Sequence, residues 1–151
     1  MVNENSVFRI RNFESILTVF TLFLLCCTTP GKDKSTKFTQ YYLQGEQLYT
    51  KHCSNCHQAS GTGLGRVYPP LHQSDFMDKN FEKVICSIKY GISGEMIVNG
   101  EDFNQAMPGV PSLTDLEIAE IATYIYNTWE HERGLVEVKN VSQLLEKCRA
   151  K

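Results

Sequence analysis

The chain has 151 residues and a formal net charge of −2 at neutral pH. That length suffices for one small domain. No basic patch interleaves with aromatic residues, so nothing points to nucleic-acid binding.

The first segment does not belong to that domain. Arg9 and Arg11 form a basic lead, and Ile16 to Leu25 is almost wholly apolar. The run is too short to span a bilayer as a helix and suits the core of an export signal. It ends in Leu24-Leu25-Cys26-Cys27 and resembles a bacterial lipoprotein signal. The resemblance implies cleavage before a cysteine that then carries lipid. Cys27 is the better candidate, because Cys26 is then the small residue ahead of the cut, whereas a cut before Cys26 puts bulky Leu25 there. An ordinary signal peptide and an uncleaved anchor are the alternatives. Residues 1–26 are therefore read as signal, and 27–38 as lipidated cysteine and polar tether. As a flexible coil, Thr28 to Phe38 reaches about 18 Å. The domain follows over 39–130, and 131–151 form a C-terminal extension packed on it.

Thr39 to His52 has helical periodicity, with Tyr41, Gly45, Leu48, Tyr49 and His52 on one stripe. Gly45 inside a helix costs about 1 kcal/mol against alanine, which suggests that another backbone passes close by.

Cys53-Ser54-Asn55-Cys56-His57 follows. Two thiols at this spacing with an adjacent imidazole are what covalent haem attachment requires. Each thiol adds across one vinyl group, and the histidine ligates the iron. The cofactor then carries the chemistry. Two other readings use a C-x-x-C pair. A structural zinc site wants four ligands, usually from two such pairs, and no second pair exists. A dithiol redox site sits in a β-α-β context, and the flanks here read helical.

Ser60 to Pro70 reads as an irregular, glycine-rich loop. Asp78 to Tyr90 reads as a helix, with Phe81, Val84, Ile85 and Ile88 at i, i+3, i+4 and i+7 and Gly91 at its C-cap. Gly94 to Gly109 reads as a loop with at most a short hairpin. Thr114 to Trp129 is the clearest helix. Thr114 and Glu117 suit a capping box, and Leu113 and Ile118 a hydrophobic staple. Residues 135–138 read as a short extended piece. Val141, Leu144, Leu145 and Cys148 then repeat at helical spacing.

Of six cysteines, Cys26 leaves with the signal, Cys27 takes lipid, and Cys53 and Cys56 take haem. Cys86 and Cys148 remain, an even pair in an oxidising compartment, and are expected to form a disulfide. Two separate buried thiols are the alternative.

Over Thr39 to Glu130 the chain resembles class I c-type cytochromes. Gly45 and Tyr49 look like the family's glycine and aromatic pair, with Tyr124 as the aromatic partner. Pro69 and Leu71, twelve and fourteen residues after His57, look like its proximal proline and leucine. The resemblance implies an all-α, cytochrome c-like fold. Three main helices and irregular loops then surround one covalent haem c, with a short extra C-terminal helix. It also implies that the Pro69 carbonyl accepts a hydrogen bond from the ligating His57.

The iron's other side needs a ligand. Met107 lies in Asn-Gln-Ala-Met-Pro-Gly before the last main helix, and Pro108 stiffens the backbone there. The family's distal methionine occupies this kind of position. Met96 is the main rival, though it reads as packing, and Met77 reads as core. His72 lies on the loop expected at the proximal face. His52 and His131 read as ordinary surface or capping residues.

Two protein ligands leave the iron no open position, so the chain reads as an electron carrier rather than an enzyme. Its partners are then a protein electron donor and acceptor, with the membrane engaged through the N-terminal lipid. The expected location is exported, on the periplasmic side. The alternatives are a relay subunit of a larger oxidoreductase, such as a terminal oxidase or nitrite reductase, and a gas sensor. Between Lys89 and Arg133 there are eight acids and no lysine or arginine. They read either as a solvated face or as an acidic surface on the methionine side that steers a basic docking partner.

Overall fold

A computed structural model describes residues 35–150. Helix α1, Thr36–His52, starts where the Ser35 side chain accepts a hydrogen bond from the Phe38 amide at 3.2 Å. This is three residues earlier than the sequence suggested. Phe38 is buried, so 36–38 belong to the domain and not to the tether. The signal segment and Cys27 lie outside the described residues.

Helix α2, Ser54–His57, is a single turn directly after Cys53. Helices α3, Asp75–Lys79, and α4, Phe81–Tyr90, replace the one helix expected over 78–90. Asn80 breaks the run. Its backbone is non-helical, and its amide and side-chain nitrogens both donate to the Phe76 carbonyl at 2.9 Å. A short polar side chain competes here with the helix ladder.

The next stretch holds more pairing than a loop. Strands β1, Gly91–Ile92, and β4, Met107–Pro108, pair antiparallel, with Ile92 opposite Met107. Strands β2, Met96–Val98, and β3, Glu101–Phe103, form a hairpin. Asn99 and Gly100 make its turn at φ 53° and 80°, the pair such a tight turn favours.

Helix α5, Asp115–Ile125, opens with the expected capping box. The Glu117 amide donates to Thr114 Oγ1 at 3.2 Å, and the Thr114 amide donates to Glu117 Oε2 at 2.7 Å. Leu113 and Ile118 are both buried, as a staple requires. The helix ends four residues before Trp129. The Asn127 side chain donates to the Thr123 carbonyl at 2.7 Å and accepts the Gly134 amide at 2.7 Å, turning the chain back. Residues 135–137 join no helix or ladder, and Val138, expected at the end of an extended piece, already opens the next helix. Helix α6, Val138–Arg149, then buries Val141 and Leu145.

The core forms where α1 crosses α5. A Cβ on Gly45 would stand 2.0 Å from the Glu120 carbonyl oxygen and 2.8 Å from Tyr124 Cβ. The missing side chain lets the two backbones touch. Tyr42 and Tyr49 pack on the Tyr124 ring at 5.2 and 5.4 Å. Helix α6 lies against α4 and α5, and a disulfide joins Cys148 to Cys86 on α4. Among the described residues no helix is long and apolar enough to cross a membrane.

The bridge spans 62 residues of sequence. Closing a loop of that length lowers the unfolded chain's entropy, worth about 3 kcal/mol or more. Replacing both cysteines with serine is expected to lower the denaturation midpoint accordingly. An unchanged midpoint would show that the bridge adds no constraint.

Candidate functional site

Cys53 sits at the junction of α1 and α2. The Cys56 and His57 amides donate to its carbonyl at 3.2 and 3.0 Å. This one turn places Cys53, Cys56 and His57 on the wall of a single apolar cleft, partly open to solvent.

His57 is buried, and its Nδ1 donates to the Pro69 carbonyl at 3.0 Å. Nε2 is then the nitrogen left for a ligand, the tautomer following from that bond. Burial holds the imidazole below its ordinary pKa, with the Pro69 bond opposing. A neutral ring suits metal ligation.

The glycine loop makes this contact possible. Gly63, at φ +68°, donates from its amide to the His57 carbonyl at 3.0 Å. A Cβ on it would lie 2.2 Å from the Tyr68 carbonyl oxygen, so any other residue would push the Tyr68-Pro69 segment away. The Leu71 amide donates to the Gly61 carbonyl at 2.7 Å. Leu71 lines the cleft beside Pro69.

Met107 also lines the cleft, held by the β1–β4 pairing. Lys89 supports the following segment, donating to the Pro111 carbonyl at 2.8 Å and also to that of Leu113. Met77 and Met96 reach the same cleft. Met77 is 1 % exposed and packed in the core. Val84 and Ile88 of α4 and Ile121 and Ile125 of α5 complete the apolar wall.

Among the histidines, only His57 lines the cleft. His131 departs from the sequence reading. It is 8 % exposed, its Nε2 donates to the Leu71 carbonyl at 2.9 Å, and its Nδ1 lies 3.1 Å from an Asp78 carboxylate oxygen. Sequence carries no signal for this, because Leu71 and His131 are 60 residues apart.

The acid-rich stretch divides between elements. Asp115 and Glu117 sit in the first turn of α5, where they offset the helix dipole. Asp115 also accepts from Ser142 Oγ at 2.6 Å, and Glu130 accepts from Gln73. Glu101 and Asp102 lie on the hairpin whose Met96 and Val98 line the cleft. Glu101 pairs with Arg66 of the glycine loop at 2.7 Å.

The donor set distinguishes the candidate ligands. Among the described residues no cluster of three or more histidines, cysteines or acids could hold a bare metal ion, and Cys86 and Cys148 are bonded to each other. A structural zinc site lacks its ligands. Burial, with Cys56 adding to it, pushes the Cys53 thiol up to about 11, whereas a redox dithiol wants a depressed value. Two half-buried thiols, one neutral imidazole and thioethers around an apolar slot fit a covalently attached haem.

The cytochrome c family model matches residues 42–129. Cytochrome c-552 of Thermus thermophilus is 30 % identical over 112 residues, covering 71 % of this chain and 85 % of that protein. The cytochrome c subunit of a quinone alcohol dehydrogenase from Gluconobacter oxydans is 25 % identical over 103 residues, covering 66 % of this chain and 21 % of that subunit.

Proposed function

Because this chain belongs to the cytochrome c family, we propose that it is a class I, single-haem protein that carries electrons between protein partners while tethered outside the cytoplasmic membrane. Haem when bound supplies a one-electron iron couple. Cys53 and Cys56 would hold it by thioethers, and His57 and Met107 would ligate the iron. The observation that carries this reading is the cleft that brings these four side chains to one wall system. The Pro69 bond orients His57 and strengthens it as a donor. The β1–β4 ladder holds the backbone of Met107. The walls around these residues are largely apolar. With His57 and Met107 both ligating, the iron would keep no site for a small substrate, and a thioether ligand together with an imidazole would raise its potential.

A single Cys-x-x-Cys-His motif supports one haem. The tether proposal rests on the apolar run before Cys27. Acids on the β2–β3 hairpin support a basic docking partner. A second reading, a relay within a larger oxidoreductase, is favoured by the likeness to dehydrogenase cytochrome c subunits; co-purification with a catalytic subunit would distinguish it.

Absorption spectra of the purified protein, oxidised and reduced, test haem attachment and ligation together. Met107→Ala is expected to abolish the weak thioether-to-iron band at the red end and to lower the potential. A retained band would move the assignment to Met96 or Met77.

A further inference from the structure

The family match ends at residue 129, yet His131 just beyond it reaches back to the proximal wall. Its ring is 8 % exposed and lies between two acceptors, the Leu71 carbonyl at 2.9 Å and the Asp78 carboxylate at 3.1 Å. Nε2 donates to the Leu71 carbonyl, and Nδ1 faces the Asp78 carboxylate. Leu71 stands two residues after Pro69, with Pro70 between them. The two prolines lock successive φ angles, so Pro69 to Leu71 acts as a short, stiff strut. At one end the Pro69 carbonyl accepts from His57, and at the other the Leu71 carbonyl accepts from His131. Gly61 holds the strut through the Leu71 and His72 amides, and the Leu71 carbonyl accepts from the Ser74 amide at 3.3 Å as well as, more closely, from His131 at 2.9 Å. Helix α3 supplies the second anchor through Asp78, and Tyr126 packs its ring 6.1 Å from the imidazole.

We propose that His131 is a positioning residue for the haem iron, acting through the Leu71 carbonyl and the Pro69–Leu71 strut to hold the bond that makes His57 a strong donor. The inference rests on His57 as the axial ligand. Its direction follows from ligand chemistry. A firm Pro69 bond makes the imidazole more electron-donating and favours the oxidised iron. Loosening the strut weakens that bond and raises the potential.

The haem-loaded wild type, His131→Leu, His131→Gln and Asp78→Asn proteins are compared by redox titration. The exchange rate of the His57 Nδ1 proton is also measured by NMR in the reduced state. His131→Leu is expected to raise the potential and to speed that exchange on the order of fivefold, the factor for one typical hydrogen bond. His131→Gln keeps a donor for Leu71 and is expected to restore both values towards wild type. Asp78 is exposed, so Asp78→Asn keeps the fold and is expected to shift both values the same way by less. The inference is overturned if His131→Leu leaves both values unchanged or lowers the potential. It is also overturned if His131→Gln shifts as far as His131→Leu, which would mean that charge and not the hydrogen bond acts. If His131→Leu does not fold, an unchanged Asp78→Asn overturns it. A wild-type spectrum without histidine ligation would instead remove the reading beneath it.

Discussion

Gly45→Ala is expected to destabilise the haem-loaded protein by about 3 kcal/mol, the upper end of overpacking costs. On helix propensity alone the change should help by about 1 kcal/mol. Packing reverses the sign. The new methyl would stand 2.0 Å from the Glu120 carbonyl oxygen, and a backbone atom in a helix cannot rotate away. Helices α1 and α5 must part, which pulls the Tyr49 and Tyr42 rings off Tyr124. Tyr49 also lines the cleft, so the damage extends to the site. The denaturant midpoints of the two proteins measure the effect. A midpoint at or above wild type would mean that the helices do not meet at this glycine.

Cys53→Ala/Cys56→Ala is expected to remove covalent haem completely and a large part of the fold's stability with it. On a denaturing gel the variant should show no haem stain. The cleft walls are largely core residues such as Met77, Val84, Ile88 and Ile121. A dry cavity costs about 24 cal/mol per Å³. Left empty, the roughly 100 Å³ of cavity there would cost about 2 kcal/mol. That is a large fraction of the stability of a small domain. The haem-free variant should therefore melt at a clearly lower midpoint by circular dichroism. A haem-free variant melting at the wild-type midpoint would show that the cleft does not depend on its cofactor.

Much of the architecture is legible because its signals are local. The α5 start needs only Thr114, Glu117 and their neighbours, and the capping box forms as read. The apolar period of α4 places Val84, Ile85 and Ile88 in the core. Gly45 is legible as an anomaly, since a helix tolerates its cost only for a close approach. The short hairpin allowed for within Gly94 to Gly109 forms, with Asn99-Gly100 as its turn, and Ser35 suits an N-cap. Asn80 and Asn127 are harder, because their side chains end helices through bonds that depend on where the chain turns next.

The sequence by itself determined which residue types stand near one another along the chain: a thiol pair with an adjacent histidine, a proline twelve residues on, methionines further along, and a helical frame. These depend on residue type and short spacing, which the covalent chain carries directly. Only the tertiary structure decided which groups share one environment. It put three methionines on one cleft, paired Met107 with Ile92, split the acid-rich stretch between a helix start and a hairpin, and buried His131 against Leu71. Each of these is a contact between segments far apart in sequence. Their closure depends on how α1, α4 and α5 pack, and a one-dimensional pattern holds no record of that distance.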